Sequence, residues 1–330
     1  SAEYEAMHAA WHKAVKVLPD FTIVHKQDWF VKEHYAGRLS DGELSFLARA
    51  SERHFNERPF LDHACYLFLT KTTRQRMARQ SNFSSLCRGT ILPKEVGNRE
   101  EVAKFMEAVD QFERIINDDD RIRLTRMTEE ELVGTKEKSG LLDRYFSLSD
   151  TGHASLEDIR LGADFVRVGD NRLCLHTLSD TDDLPAVVST DSRYERLSTD
   201  RSDCRLSFAA PVGLMLSCNH LFNQYLFIED SEENLNRFEK QARNMHSLAR
   251  YSRSNQINEA WIQEYLNLAR SQGLTSIRAH FNVLAWSDDA EELRQIKNDV
   301  GSALALMECR PRHNTVDAAT LYWAGIPGNA

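Results

Sequence analysis

Residues 275–286 alternate as a half-buried strand must. Ile277, Ala279, Phe281, Val283 and Ala285 fall on one face at period two. Ser287, Asp288 and Asp289 follow at once as helix-capping chemistry, and Leu293, Ile296, Val300 and Leu304 then repeat at helical spacing. A strand handed straight to an amphipathic helix needs partners on both sides, and the preceding residues offer them. Residues 165–178 read as a hairpin turning at Gly169-Asp170-Asn171, and 213–228 as a second hairpin across Asn219-His220. Ser231 with Glu232 and Glu233 opens a helix through Leu235, Phe238, Met245 and Leu248, and a second, through Ile257, Trp261, Tyr265 and Leu268, closes at Gly273. The order ββαβα, with a further strand expected at 307–310, predicts an antiparallel sheet with helices on one face.

The first half mixes elements in the same way. Met7, Trp11, Val15 and Leu18 make a helical stripe stopped by Pro19, and 21–32 carry the aromatic and β-branched content of a strand. A helix is expected from Glu43 to about Phe55. The compact apolar run 63–70 reads as a central strand buried on both faces. Asn98 caps the clearest helix (Val102, Phe105, Met106, Val109, Phe112, Ile116), and 121–126 alternate like an edge strand. Thr128 to Glu131 form a capping box into a helix expected to end near Leu148. The polar stretch 149–163, with Gly152 and Gly162, predicts a boundary. The fold class is therefore α+β: a mixed α/β subdomain over 1–150 and an α+β subdomain over 151–330.

Composition removes several function classes. The chain has 330 residues, 42% hydrophobic and 28% charged, which suits a water-soluble globular core. A formal net charge of −9 disfavours generic attraction to nucleic acid. Cys65, Cys87, Cys174, Cys204, Cys218 and Cys309 contain no C-x-x-C pair and sit mostly in apolar runs, as free thiols of a reducing compartment do. No run approaches the ~20 apolar residues of a membrane span. The chain opens at Ser1-Ala2, without Met. It closes on an apolar run, 321–326, followed by Pro327-Gly328-Asn329, and this junction-like ending predicts a piece of a larger protein.

Searching the sequence for catalytic chemistry yields no engine. A P-loop needs G-x-x-x-x-G-K-[ST], so that backbone N–H groups wrap phosphate while Lys neutralises it; Gly134-Thr135-Lys136 lacks the upstream glycine. G-x-S-x-G, G-x-G-x-x-G and H-E-x-x-H are absent as well. His8 and His12 share a helix face but have no attached Cys or carboxylate cluster, so no metal ligand set forms. Basic groups remain as partner or anion contacts: Arg74, Arg76 and Arg79 in the Ser/Arg-rich stretch 72–97, Arg193, Arg196 and Arg201 in an acid-balanced stretch, and Arg310 and Arg312 near the end. Their acidic neighbours favour internal pairing for the middle group.

Four longer phrases carry a resemblance. They are Gly169-Asp-Asn-Arg-Leu-Cys-Leu-His-Thr-Leu-Ser-Asp180, residues 197–213 (LSTDRSDCRLSFAAPVG), Gly273-Leu-Thr-Ser-Ile-Arg-Ala-His-Phe-Asn-Val-Leu-Ala-Trp286, and the ending Trp323-Ala-Gly-Ile-Pro-Gly-Asn-Ala330. Together they resemble the N-terminal region of the TraG family of conjugative-transposon ATPases, within the TrbE/CagE class of type IV secretion ATPases. The resemblance implies a hexameric ATPase held peripherally at the cytoplasmic side of the inner membrane. Its partners would be inner-membrane channel components and neighbouring subunits. ATP and magnesium would belong to a RecA-like domain beyond Ala330, with Pro327, Gly328 and Asn329 as the linker. No catalytic, cofactor or metal residue is then expected in this chain, whose part would be docking and regulation. The alternative is a nucleic-acid-binding module of the same machinery.

Overall fold

The computed structural model describes residues 2–35, 45–73, 97–118, 121–149, 157–162, 165–188, 192–195, 198–249 and 251–330. The elements up to the expected boundary are α1 (Ala2–Lys16), β1 (Thr22–His34), α2 (Phe46–Asn56), β2 (Pro59–Lys71), α3 (Arg99–Asn117), α4 (Glu129–Val133) and α5 (Leu141–Ser147). Beyond it come β3 (Ile159–Leu161), β4 (Val166–Val168), β5 (Asn171–Leu178), β6 (Ser192–Arg193), β7 (Arg205–Leu206), α6 (Ala210–Leu214) and β8 (His220–Ile228). The chain finishes with α7 (Ser231–Ala249), α8 (Arg253–Gln272), β9 (Ile277–Ser287), α9 (Ala290–Leu306), β10 (Arg312–Asn314) and α10 (Ala318–Ala324).

One antiparallel sheet organises these elements. Its order is β2-β1-β8-β9-β5-β4-β3, and β10 pairs with the part of β5 that β4 leaves open. The α+β class read from the sequence is the class observed. β1 lies beside β8 from Ile23↔Phe227 to Phe30↔His220, so the sheet runs across the boundary expected near residue 150.

Alternation gives the sheet two distinct faces. Val24, Phe30, Phe222, Val283, Ala285 and Cys174 project to one, which the long helices cover. There α1 and α3 bring Ala14, Leu18, Phe112 and Ile116 against Val24 and Ile228. α9 brings Ile296, Val300, Ala303 and Leu304 against Cys174, Val283 and Ala285. Each such fully buried aliphatic side chain contributes about 1.5–3 kcal/mol. His25, Gln27, Trp29, Asn223, Tyr225, Leu284 and Trp286 project to the opposite face, which the short helices α5 and α10 close through Leu141, Tyr145, Ala318 and Tyr322. α7 and α8 form a helical hairpin, tied by Arg270 to Glu239 and by His246 Nδ1 to Glu259 at 2.7 Å.

Five expectations are corrected. β2 is the terminal strand among those described, not a central one; Leu67 and Leu69 pack with the Phe112 and Ile116 cluster on one face, and Ala64, Tyr66 and Phe68 with the Trp29, Tyr145 and Tyr322 cluster on the other. Residues 121–126 form no strand; Asn117 holds them by bonding both the N–H and the C=O of Leu124. The capping box at Thr128 forms, but the helix stops at Val133 and α5 restarts at Leu141. The second hairpin does not form, because Pro211 sits in the first turn of a helix, α6, that replaces its first strand. The small strand expected at 307–310 lies instead at Arg312–Asn314. Gly273 does close α8, in the left-handed conformation (φ 59°).

Candidate functional site

The helix-poor face of the sheet holds a row of polar side chains that the strand register sets directly opposite one another. Gln27 faces Asn223, Asn223 faces Asn282, and Asn282 faces Thr177. One step along, His25 faces Tyr225 and Tyr225 faces His280. Gln27 and Asn223 are completely buried. Burying such groups is costly unless each finds a partner, and the row supplies partners. Trp29 Nε1 donates to Gln27 Oε1 (2.8 Å), and Gln27 Nε2 donates to Asn223 Oδ1 (2.7 Å). Asn223 Nδ2 donates to Asn282 Oδ1 (2.9 Å), and His25 Nε2 to Asn223 Oδ1 (3.0 Å). His25 stacks on Tyr225 with ring centroids 4.2 Å apart.

The C-terminal segment seals this row. Gln27 Nε2 also donates to the Gly325 carbonyl at 2.9 Å, and Tyr145 Oη donates to the Tyr322 carbonyl at 2.6 Å. The Tyr145 and Tyr322 rings stack at 5.1 Å. Beyond α10, Asn329 donates through Nδ2 to the Trp323 carbonyl at 2.8 Å and through its backbone to Ile326 at 2.9 Å. Gly328 takes the left-handed conformation (φ 77°), and a β-carbon added there would lie 3.9 Å from Thr70 Oγ1 of β2. Pro327, Gly328 and Asn329, expected as a linker, thus fold back as a turn at the sheet.

Electrostatically this face is neutral. Burial pushes the His25 imidazole down to about 4, and it raises the Tyr145 and Tyr225 phenols. His25 Nδ1, Tyr225 Oη, His280 Nε2 and Asn282 Nδ2 are buried without a protein hydrogen bond. A neutral, mostly satisfied network of this kind fixes strand register and the seat of the tail. It supplies no paired nucleophile and base. Burial also raises the Cys174 thiol to about 12 and the Cys218 thiol to about 11, which makes both inert as nucleophiles. Among the described residues, no group of three His, Cys, Asp or Glu side chains could hold a metal.

The sequence-derived arginines divide by location. Arg74, Arg76, Arg79 and Arg196, and most of the stretch 72–97, lie outside the described residues. Arg193 pairs with Glu195 and Asp203, both at 3.4 Å, in the small β6–β7 hairpin. Arg201 is exposed in the turn closed by the Thr199–Ser202 bridge. Arg310 donates its backbone N–H to the Asp183 carbonyl at 2.8 Å. Arg312 grips the Asp183 carboxylate through Nε and Nη2, at 3.1 and 3.0 Å. Burial alone would raise Asp183, but the guanidinium and the N–H groups of Asp180 and Ser179 outweigh it and hold the carboxyl below its usual range.

The sequence reading missed another arginine set. Arg160 faces Arg167, and Arg167 faces Arg172, across β3, β4 and β5, on the side covered by α9. A two-residue turn at Gly169-Asp170 would have set Arg167 opposite Arg172; a three-residue turn hides that register. A comparison with protein-family models gives no match, and a comparison with curated proteins gives none of significance.

Proposed function

We propose that the chain is the docking and regulatory region of a conjugative-transfer ATPase of the TraG type. Its supporting observation is the convergence of the four resembling phrases, spread over some 160 residues of sequence, on the two buried clusters that flank one sheet. Cys174 and Leu178 of the first phrase, Val212 of the second, and Val283 and Ala285 of the third share one buried cluster. Leu175, Leu284 and Trp286 share the other with Ile326 of the last. Phrases that trace the inside of one body are what a shared fold leaves in a sequence, whereas short chance matches would scatter over loops.

On this reading the chain positions a motor rather than being one. ATP and magnesium are assigned to a RecA-like domain following Ala330, and partners are channel components at the inner membrane and adjacent subunits of a hexamer. No helix among the described residues is long and apolar enough to cross a membrane, which accords with peripheral attachment. The acidic balance suits protein contacts better than nucleic acid. Reading the coding sequence beyond Ala330 tests the proposal first: a Walker A motif within about one domain length is expected. In the same gene, deleting the codons of this chain should abolish transfer between cells while leaving ATP hydrolysis by the motor measurable. Hydrolysis by the 330-residue chain itself at the motor's rate would refute the reading.

Nucleic-acid binding is the second reading, and the arginine row Arg160–Arg167–Arg172 is the observation in its favour. Glu157, Asp158 and Asp170 lie around that row and oppose a phosphate backbone running across it.

A further inference from the structure

Arg160, Arg167 and Arg172 stand in register across three adjacent strands. Like charges directly opposite one another weaken a sheet, and here α9 adds two more cations, Arg294 and Lys297, to the same wall. Together with His313 these residues line a cleft of about 520 Å³, with Phe165 and Leu293 as its apolar surface. Among the described residues, no acidic side chain lines it. Three of the cations have counter-ions at the rim: Arg160 with Asp158 (3.7 Å), Arg167 with Asp170 (2.9 Å) and Arg294 with Glu291 (2.8 Å). Arg172 and Lys297 carry no ion pair among the described residues. The positive field reaches deeper, where Lys297 adds to burial in lowering both His176 and His313. On a chain of net charge −9, gathering five permanent cations in one cleft creates a local attraction for an anion.

We propose that this cleft binds the phosphate groups of a small nucleotide-sized ligand. Guanidinium forks suit phosphate oxygens bidentately, and Lys297 adds a point charge. The volume is that of a small-molecule site, larger than one phosphate fills. Phe165, half exposed at the wall, offers a ring on which a flat base can stack. Duplex nucleic acid is disfavoured, because the cations are gathered in one concavity and Glu157, Asp158 and Asp170 flank it. The inference stands independently of the docking role.

Calorimetric titration of the 330-residue chain with pyrophosphate, AMP and ATP at about 50 mM salt tests it, with a short DNA duplex as the competing ligand. One saturable site is expected, with ATP bound more tightly than AMP. Arg172→Ala and Lys297→Ala should each weaken ATP binding by about tenfold or more, while Arg193→Ala, in the distant β6–β7 hairpin, should leave it unchanged. Phe165→Ala should weaken ATP but not pyrophosphate. Melting curves guard against misfolding, since Arg172→Ala removes a like-charge opposition and should melt no lower than the parent. Absence of saturable binding by all three phosphates would overturn the proposal, as would binding untouched by the Arg172→Ala/Lys297→Ala double variant. Binding of duplex alone would overturn it in favour of a nucleic-acid surface. Pyrophosphate binding as tight as ATP, with no effect of Phe165→Ala, would overturn the nucleotide assignment.

Discussion

The two faces of the sheet solve the problem of polar residues in opposite ways. On the face closed by α10, the residues are neutral, completely buried and bonded mainly to one another, with Asn223 as the hub for His25, Gln27 and Asn282. On the face covered by α9, the polar residues of the β3–β5 end are charges of one sign, left at the rim of a cleft. The first arrangement keeps most of its hydrogen bonds internal, with His25 Nδ1, Tyr225 Oη, His280 Nε2 and Asn282 Nδ2 left without a protein partner, and lends itself to holding a shape. The second has no counter-charge at its centre among the described residues and lends itself to binding. Neighbouring stretches of the same strands therefore differ in role because of which side they project from.

The largest expected effect tests the closed face. Tyr322→Ala empties a fully buried site stacked on Tyr145, and should cost about 4 kcal/mol in denaturant unfolding. A loss under about 1 kcal/mol would mean that α10 is not part of the core. Asn223→Ala comes next. It strands His25 Nε2, Gln27 and Asn282 at once, and about 2–3 kcal/mol should be lost, since each orphaned buried group carries its own desolvation cost.

Acid should reach the closed face in a defined window. His25 is held neutral down to about 4 in the fold, against 6.5 when unfolded. Below 6.5 the unfolded chain takes up the proton first, so stability falls as pH drops from about 6.5 towards 4, by at most about 3 kcal/mol from this group. Melting temperatures across that range check the slope, and a His25→Gln variant should flatten it. The smallest effect belongs to the other face. Arg172→Gln should raise stability by a few tenths of a kcal/mol in the absence of anions, roughly the size of one cross-strand like-charge pair. A marked loss instead would show that Arg172 is a packing residue.

Much of the sheet was legible because a face buried on apolar helices writes period two into the chain. Ile277 to Ala285 was read this way, while β1 was read from its β-branched and aromatic content and the hairpin from its turn at Gly169. The capping signals at Asn98 and Thr128 are equally local, and the structure forms both; of Ser287, Asp288 and Asp289, expected to cap the last long helix, Asp289 is the N-cap. What failed depends on distant partners. The apolar run of β2 does not reveal that it ends the row of described strands, and the run 213–218 reads as strand only until Pro211 is weighed as a helix starter. The polar row was illegible for a deeper reason. Gln27, Asn223 and Asn282 each look like solvent-facing positions in their own strand, and only register across β1, β8 and β9 shows them to be mutual partners. The arginine row hid behind a one-residue choice of turn. Arg312 was read as a partner or anion contact, but Asp183, which it grips, lies more than a hundred residues earlier.

The C-terminal segment 318–325 is part of the body it covers, seated on the buried polar row. Native-state hydrogen exchange measures this most directly. The amides of 318–325 should exchange together with those of 221–226 and 281–285, through one shared opening of high free energy. If 318–325 exchanged orders of magnitude faster while the strands stayed protected, the segment would be a detachable strap and the claim would be contradicted.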